Sequence, residues 1–172
     1  RAGIDMITHC SYLDEEGLRD LSASGLWFVP TLYITSERSF TRKWLPKHIS
    51  ERMMDAHGPH REGVARAIER GIPIAVGTDG GPGDAQFELQ ELVACGMTPM
   101  QAIEAGTRVA AEALGIEALT GTLEPGNAAD LQIVRGDPLS EIAILEDADA
   151  IALVMREGKA PLVEMQWPES LA

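Results

Sequence analysis

Short apolar runs that recur between helix-forming segments constrain this chain more than any single residue does. Residues 4–9, 26–29 and 74–79 are each too short for a buried helix and rich enough in Ile, Val, Phe and Trp for a buried strand. Helical signals fill the intervals. Asp14, Glu15 and Glu16 open a helix whose end falls near Ser24-Gly25, and Val64, Ala65 and Ile68 recur at helical spacing before Gly71. Strands separated by helices have no room for hairpins, so the pattern predicts an α/β fold with a parallel sheet and crossover helices.

Local punctuation sets the expected boundaries. Pro30 has no amide hydrogen for a sheet ladder and should stop the second strand. Residues 36–70 read as helix-rich, with Pro46 and the Gly58-Pro59 pair as breaks. After the third strand come a glycine-rich loop at 80–83, a helix over about 87–95, and a helix-turn-helix over 98–114 in which Thr98-Pro99 supplies an N-cap followed by proline at the first helical position. From Thr120 the texture changes. Turns at Glu124-Pro125-Gly126 and Asp137-Pro138, strands at 129–134 and 151–155, and a Glu157-Gly158 turn leading into 159–165 predict a small β-rich appendage. Only about three strand–helix units are visible, too few to close an eight-stranded barrel of about 250 residues.

Composition removes several function classes. With 14 Lys and Arg against 27 Asp and Glu the chain carries a formal charge of −13, which excludes a generic nucleic-acid binder because phosphate neutralisation needs clustered cations. Hydrophobic residues at 45% and charged residues at 24% are ordinary for a globular protein, so a sizeable core is expected. No apolar run reaches the roughly 18 residues of a membrane helix and no basic-then-apolar leader opens the chain, from which a soluble, cytoplasmic location is expected. Cys10 and Cys95 stand far apart, outside any C-x-x-C, and are expected as small buried hydrophobes. The chain opens at Arg1, not at methionine, and runs at once into a strand. It is therefore expected to be the C-terminal part of a longer protein.

Chemistry in parallel α/β folds gathers where loops converge at the C-terminal ends of strands. His9 and Asp79 occupy such ends, and imidazole and carboxylate are natural ligands of zinc and similar ions; a carboxylate can also take and return a proton. A core histidine and a loop-capping aspartate would look the same, so spacing alone leaves both readings open. His57 and His60 flank the presumed helix break and are expected in a solvated loop, His48 on the surface, and Glu88, Glu91 and Glu104 on solvent-facing helix positions. The glycines after Asp79 lack the Gly-Lys-Ser/Thr end of a phosphate loop, and no G-x-G-x-x-G is present.

The order of motifs adds a resemblance. Ala2-Gly3-Ile4-Asp5 through Thr8-His9, Val29-Pro30-Thr31-Leu32, Gly77-Thr78-Asp79, Glu88-Leu89, Gly96-Met97-Thr98-Pro99, the stretch from Gly121-Thr122-Leu123-Glu124-Pro125-Gly126 to Asp130-Leu131, and Gly136-Asp137-Pro138-Leu139 together resemble the C-terminal half of a metal-dependent amidohydrolase of the imidazolonepropionase-like and prolidase-like subgroup. The resemblance implies that residues 1–119 are the last three strands and following helices of a (β/α)8 barrel, and that 120–172 are part of a composite β-sandwich. It implies Zn2+ or another divalent metal, one or two ions, and hydrolysis of a C–N bond in a small amide or dipeptide. His9 then matches the histidine at the end of the sixth strand, a second-metal ligand or a substrate-side group, and Asp79 matches the metal-binding, proton-shuttling aspartate after the eighth. The H-x-H pair, the bridging lysine and the fifth-strand histidine of that family are absent from this sequence. The missing N-terminal half is thus an expected partner, and the isolated chain is expected to be inactive. A different class, a non-catalytic half-barrel whose exposed sheet edge recruits a partner, would share the same strand pattern. If the barrel reading holds, His9, Thr31 and Asp79 meet at one end of the sheet, and Asp130 merely stabilises a turn.

Overall fold

The computed structural model describes residues 3–39, 45–81 and 83–160. Strand β1 (Met6–Thr8) pairs in parallel with β2 (Trp27–Val29) in the register Met6–Trp27, Ile7–Phe28 and Thr8–Val29. Helix α1 (Glu15–Ser24) makes the crossover. Asp14 caps it by accepting a hydrogen bond from the Gly17 amide, and Gly25 ends it at φ 68°, a left-handed conformation that costs glycine little. Leu18 and Leu21, one turn apart, are the residues that α1 buries.

The third expected strand shortens to a single parallel bridge between Ile74 and Phe28. Pro30 supplies the reason. The ladder runs from the Phe28 amide to the Pro73 carbonyl and from the Ala75 amide to the Phe28 carbonyl, and the next rung would need an amide hydrogen that Pro30 lacks. The Val76 amide instead bonds the Ala105 carbonyl.

Helix α2 is the single turn Leu32–Thr35, and α3 spans Lys47–Glu69 without interruption. The break expected at Gly58-Pro59 does not occur. Ala56, His60, Gly63, Val64 and Ala67 form one buried stripe that crosses the proline, and tertiary burial of that stripe outweighs the lost amide. Helices α4 (Ala85–Ala94), α5 (Pro99–Ala105) and α6 (Arg108–Leu114) follow. Thr98 begins α5 with a capping box shared with Gln101 and with Pro99 in the first turn, as expected. The core joins Leu18, Phe28, Leu32, Val64, Ile74 and Leu92 between the short sheet and helices α1, α3 and α4; Cys95 lies in it, whereas Cys10 is half-buried at its edge.

The β-rich segment pairs β3 (Leu131–Val134) with β4 (Ile151–Met155) in antiparallel fashion, joined through 3-10 turns at Ile142–Glu146 and Ala148–Ala150. Asp130 accepts from the Thr120 hydroxyl at 2.8 Å and from the Glu157 amide at 2.7 Å, which ties the entry of β3 to the turn after β4. Arg38, beyond α2, links this segment to the α/β part. Its guanidinium bonds both Glu146 oxygens and Gln90 and lies 4.8 Å over the Phe87 ring. Pro82 of the glycine-rich loop and residues 161–165 of the last expected turn lie outside the described residues. Among the described residues no helix is long and apolar enough to cross a membrane.

Candidate functional site

The ends of β1 and β2, and the segment beyond the Ile74 bridge, turn through the left-handed backbone region on residues other than glycine. His9 has φ 69° and Cys10 58°, Thr31 has φ 57°, and Asp79 has φ 50°. Each such residue costs on the order of 1–3 kcal/mol unless its surroundings hold it, and a β-branched threonine is the least tolerant of the set. The supports are visible. The His9 amide donates to the Val29 carbonyl at 3.0 Å, and the His60 Nε2–H donates to the His9 carbonyl, also at 3.0 Å. His9 is thereby held at both its amide and its carbonyl, from β2 on one side and α3 on the other.

The side chains continue this arrangement. His9 Nδ1 lies 2.7 Å from the Thr31 hydroxyl, which leaves Nε2 as the ring nitrogen with no protein partner among the described residues. The imidazole of His9 is exposed while Thr31 is buried. Asp79 is exposed, and its carboxylate has no hydrogen-bond partner among the described residues. The loop that follows it is capped by others: Thr78 accepts from the Gly80 amide at 3.2 Å and Asp84 from the Gly81 amide at 2.7 Å. Among the described residues, the hydrogen bonds to the amides of this loop thus go to Thr78 and Asp84 and not to Asp79. Gly77, two residues before Asp79, packs so closely on β2 that a Cβ there would lie 2.5 Å from Val29 Cγ1 and 3.8 Å from Thr31 Cγ2. The segment leading to Asp79 thus runs against the same strand end that carries Thr31.

Two residues expected in solvent lie beneath this surface. Glu88 is fully buried; its two carboxylate oxygens accept from the Leu32 amide at 2.9 Å and the Tyr33 amide at 2.7 Å, the first two amides of α2. Burial pushes its carboxyl up to about 7, against the opposing pull of those amides. His60 is likewise fully buried, and burial pulls its imidazole down to about 4, partly offset by the hydrogen bond to the His9 carbonyl. A neutral His60 with the proton on Nε2 fits its role as donor to His9. His57, half-buried on the same helix, reaches the Thr35 hydroxyl at 3.1 Å and Glu91 at 3.7 Å, and burial lowers its pKa as well. Glu91 and Glu104 are half-buried, whereas His48 is exposed as expected.

Helical spacing carried the missed signal. Glu88 shares a face with Leu92 and Cys95, four and seven positions on, and His60 shares one with Ala56 and Val64. Reading Pro59 as a break hid the second stripe.

Imidazole nitrogen and carboxylate oxygen are suitable donors for a divalent cation, and in His9 and Asp79 both keep free lone pairs or an open ring position. Among the described residues no group of three His, Cys, Asp or Glu side chains is placed to hold one. The chemistry of these two side chains fits part of a metal site.

Comparison with known proteins gives a consistent result. Residues 1–160 match the profile of the amidohydrolase family. An ochratoxinase from Aspergillus niger is 32% identical over 167 residues, which cover 92% of this chain and 34% of that protein. An imidazolonepropionase from Geobacillus kaustophilus (strain HTA426) is 38% identical over 100 residues, covering 55% of this chain and 24% of the relative. The crystal structure of a Xaa-Pro dipeptidase with bound methionine in the active site superposes with a TM-score of 0.80 at 29% identity over 91% of this chain and 39% of that one. The chain spans about a third of the length of the ochratoxinase it matches.

Proposed function

This chain belongs to the amidohydrolase family, and on that basis we propose that it is the C-terminal portion of a metal-dependent hydrolase that cleaves the C–N bond of a small amide, dipeptide or cyclic amide. Residues 1–119 are then the last three strand–helix units of the barrel and 120–172 part of the composite β-sandwich. The observation that supports the reading is the left-handed backbone of His9, Thr31 and Asp79, each at or beyond the end of an expected strand, with His9 held by the Thr31 hydroxyl and by His60.

His9, through Nε2, and Asp79 would hold the cation, and the remaining ligands would come from the N-terminal half. A divalent ion such as Zn2+ supplies Lewis-acid polarisation of the scissile carbonyl and acidifies water. Asp79 accepts a proton from the attacking water as its oxygen bonds the carbonyl carbon. It then returns the proton to the departing nitrogen as the C–N bond breaks, so the carboxylate ends the cycle as it began. Because Thr78 and Asp84 serve the loop backbone, no structural hydrogen bond among the described residues competes for that carboxylate. Thr31 fixes the His9 ring, so that a single nitrogen faces the reacting groups.

The test is the full-length parent with metal supplied, assayed on a panel of dipeptides, lactams and aryl amides beside its Asp79→Asn variant. Asparagine keeps the volume but cannot shuttle a proton, so activity should fall on the order of 10²- to 10⁴-fold. The 172-residue chain alone should show no turnover. Full activity in Asp79→Asn, or metal-dependent turnover by the isolated chain, would overturn the assignment.

A further inference from the structure

Helix α2 begins in an unusual way. An N-cap residue ordinarily has an extended backbone, and its side chain accepts a hydrogen bond from an amide of the first turn. Thr31 occupies that position, has the right side chain, and does neither: its backbone is left-handed at φ 57°, ψ 47°, and it makes no capping bond. The capping is done from 55 and 56 residues away in the sequence, where Glu88 of α4 accepts from both Tyr33 and Leu32. The hydroxyl of Thr31 is thereby released to meet His9 Nδ1 at 2.7 Å.

We propose that Glu88 is a positioning residue for the reaction: by capping α2 in place of Thr31 it commits the Thr31 hydroxyl to His9 and fixes which nitrogen of that imidazole faces the site. The inference rests on the reading of His9 as a functional group. Its physical basis is a competition for one hydroxyl. Without a carboxylate at position 88 the Leu32 and Tyr33 amides are buried and unsatisfied, a condition that costs about 1–3 kcal/mol per group. Relaxation of Thr31 to the extended backbone would relieve both its strain and one of those amides, because its own side chain would then cap the turn. The same movement withdraws the hydroxyl from His9 and leaves the ring free to rotate. Glutamine at position 88 keeps the shape but has one acceptor oxygen, and its amide group meets an N–H with another donor. A burial role alone would be met by glutamine; a double cap would not.

Two arms test this. In the full chain labelled with 15N-histidine, long-range proton–nitrogen correlation at mildly alkaline pH reads the environment of the His9 ring nitrogens without any need for turnover. Both Glu88→Gln and Thr31→Val should move the His9 Nδ1 resonance away from its wild-type position, with Thr31→Ser restoring the wild-type pattern. In the parent enzyme, Glu88→Gln and Thr31→Val should each lower kcat about 10- to 100-fold with little change in KM. The double variant should be no worse than either single one, since both remove the same contact. An unchanged His9 spectrum in a folded Glu88→Gln chain overturns the proposal, as does multiplicative loss in the double variant. If Glu88→Gln fails to fold, Thr31→Val decides: it leaves the Glu88 cap intact, so a wild-type His9 spectrum in that variant refutes the coupling. A parent that hydrolyses nothing would sink the functional reading while leaving the spectroscopic arm intact.

Discussion

Gly77 offers a steric test of how the segment leading to Asp79 is seated. A Cβ at this position would lie 2.5 Å from Val29 Cγ1, at least 0.9 Å inside the 3.4–4 Å range of ordinary contact. Val29 cannot swing aside easily. It is β-branched, only 8% exposed, and held in β2 by its pairing with Thr8. Overpacking of this kind costs about 1–3 kcal/mol, so Gly77→Ala should destabilise the chain by roughly 2 kcal/mol. Val29→Ala on its own removes two buried carbons and should cost about 2 kcal/mol in transfer and cavity terms. In the double variant the new methyl enters the space vacated by Cγ1. The two costs should therefore fall short of their sum by about 1 kcal/mol or more, within the range seen for residues in direct contact. Urea unfolding of the four proteins measures this, read as midpoint shifts at constant m-value. A Gly77→Ala chain within about 0.5 kcal/mol of wild type, or costs that simply add, would refute the argument.

Other outcomes follow from the buried ionisable pair and the caps. Glu88 has a folded pKa of about 7 against an ordinary 4.5, so its contribution is full below pH 4.5 and lost as pH rises through 7; the difference corresponds to roughly 3 kcal/mol. His60, held at about 4 against an ordinary 6.5, behaves oppositely: its contribution is present above pH 6.5 and lost, by a similar amount, as pH falls through 4. The two slopes oppose each other between about pH 4.5 and 6.5. Relative to wild type, Glu88→Gln should gain stability as pH rises and His60→Asn as it falls, and parallel urea-midpoint curves for all three would contradict both assignments. Thr98→Ala should lose about 1 kcal/mol by removing the capping box of α5, whereas Thr98→Ser should stay close to wild type in thermal melts.

Much of the fold was legible because its signals are local. Asp14 and Thr98 begin helices where a short oxygen-bearing side chain precedes a helical pattern, Gly25 ends one where a left-handed residue is needed, and Pro30 stops a ladder by lacking a hydrogen. His9 and Asp79 were legible as candidates for the same reason: each is the polar residue that ends an apolar run. Tertiary structure decided what depends on distant partners. Whether α3 breaks at Pro59 turned on whether a stripe through His60 could be buried, and the burial of Glu88 turned on two amides more than fifty residues away. The left-handed backbones of His9, Thr31 and Asp79 are of this second kind. Histidine and aspartate tolerate that region better than most residues and threonine does not, and at His9 and Thr31 the conformation persists because hydrogen bonds from β2, α3 and α4 hold the chain there. Periodicity and capping are short-range preferences written into neighbouring residues, whereas strain and buried charge are stable only in surroundings that the completed fold creates.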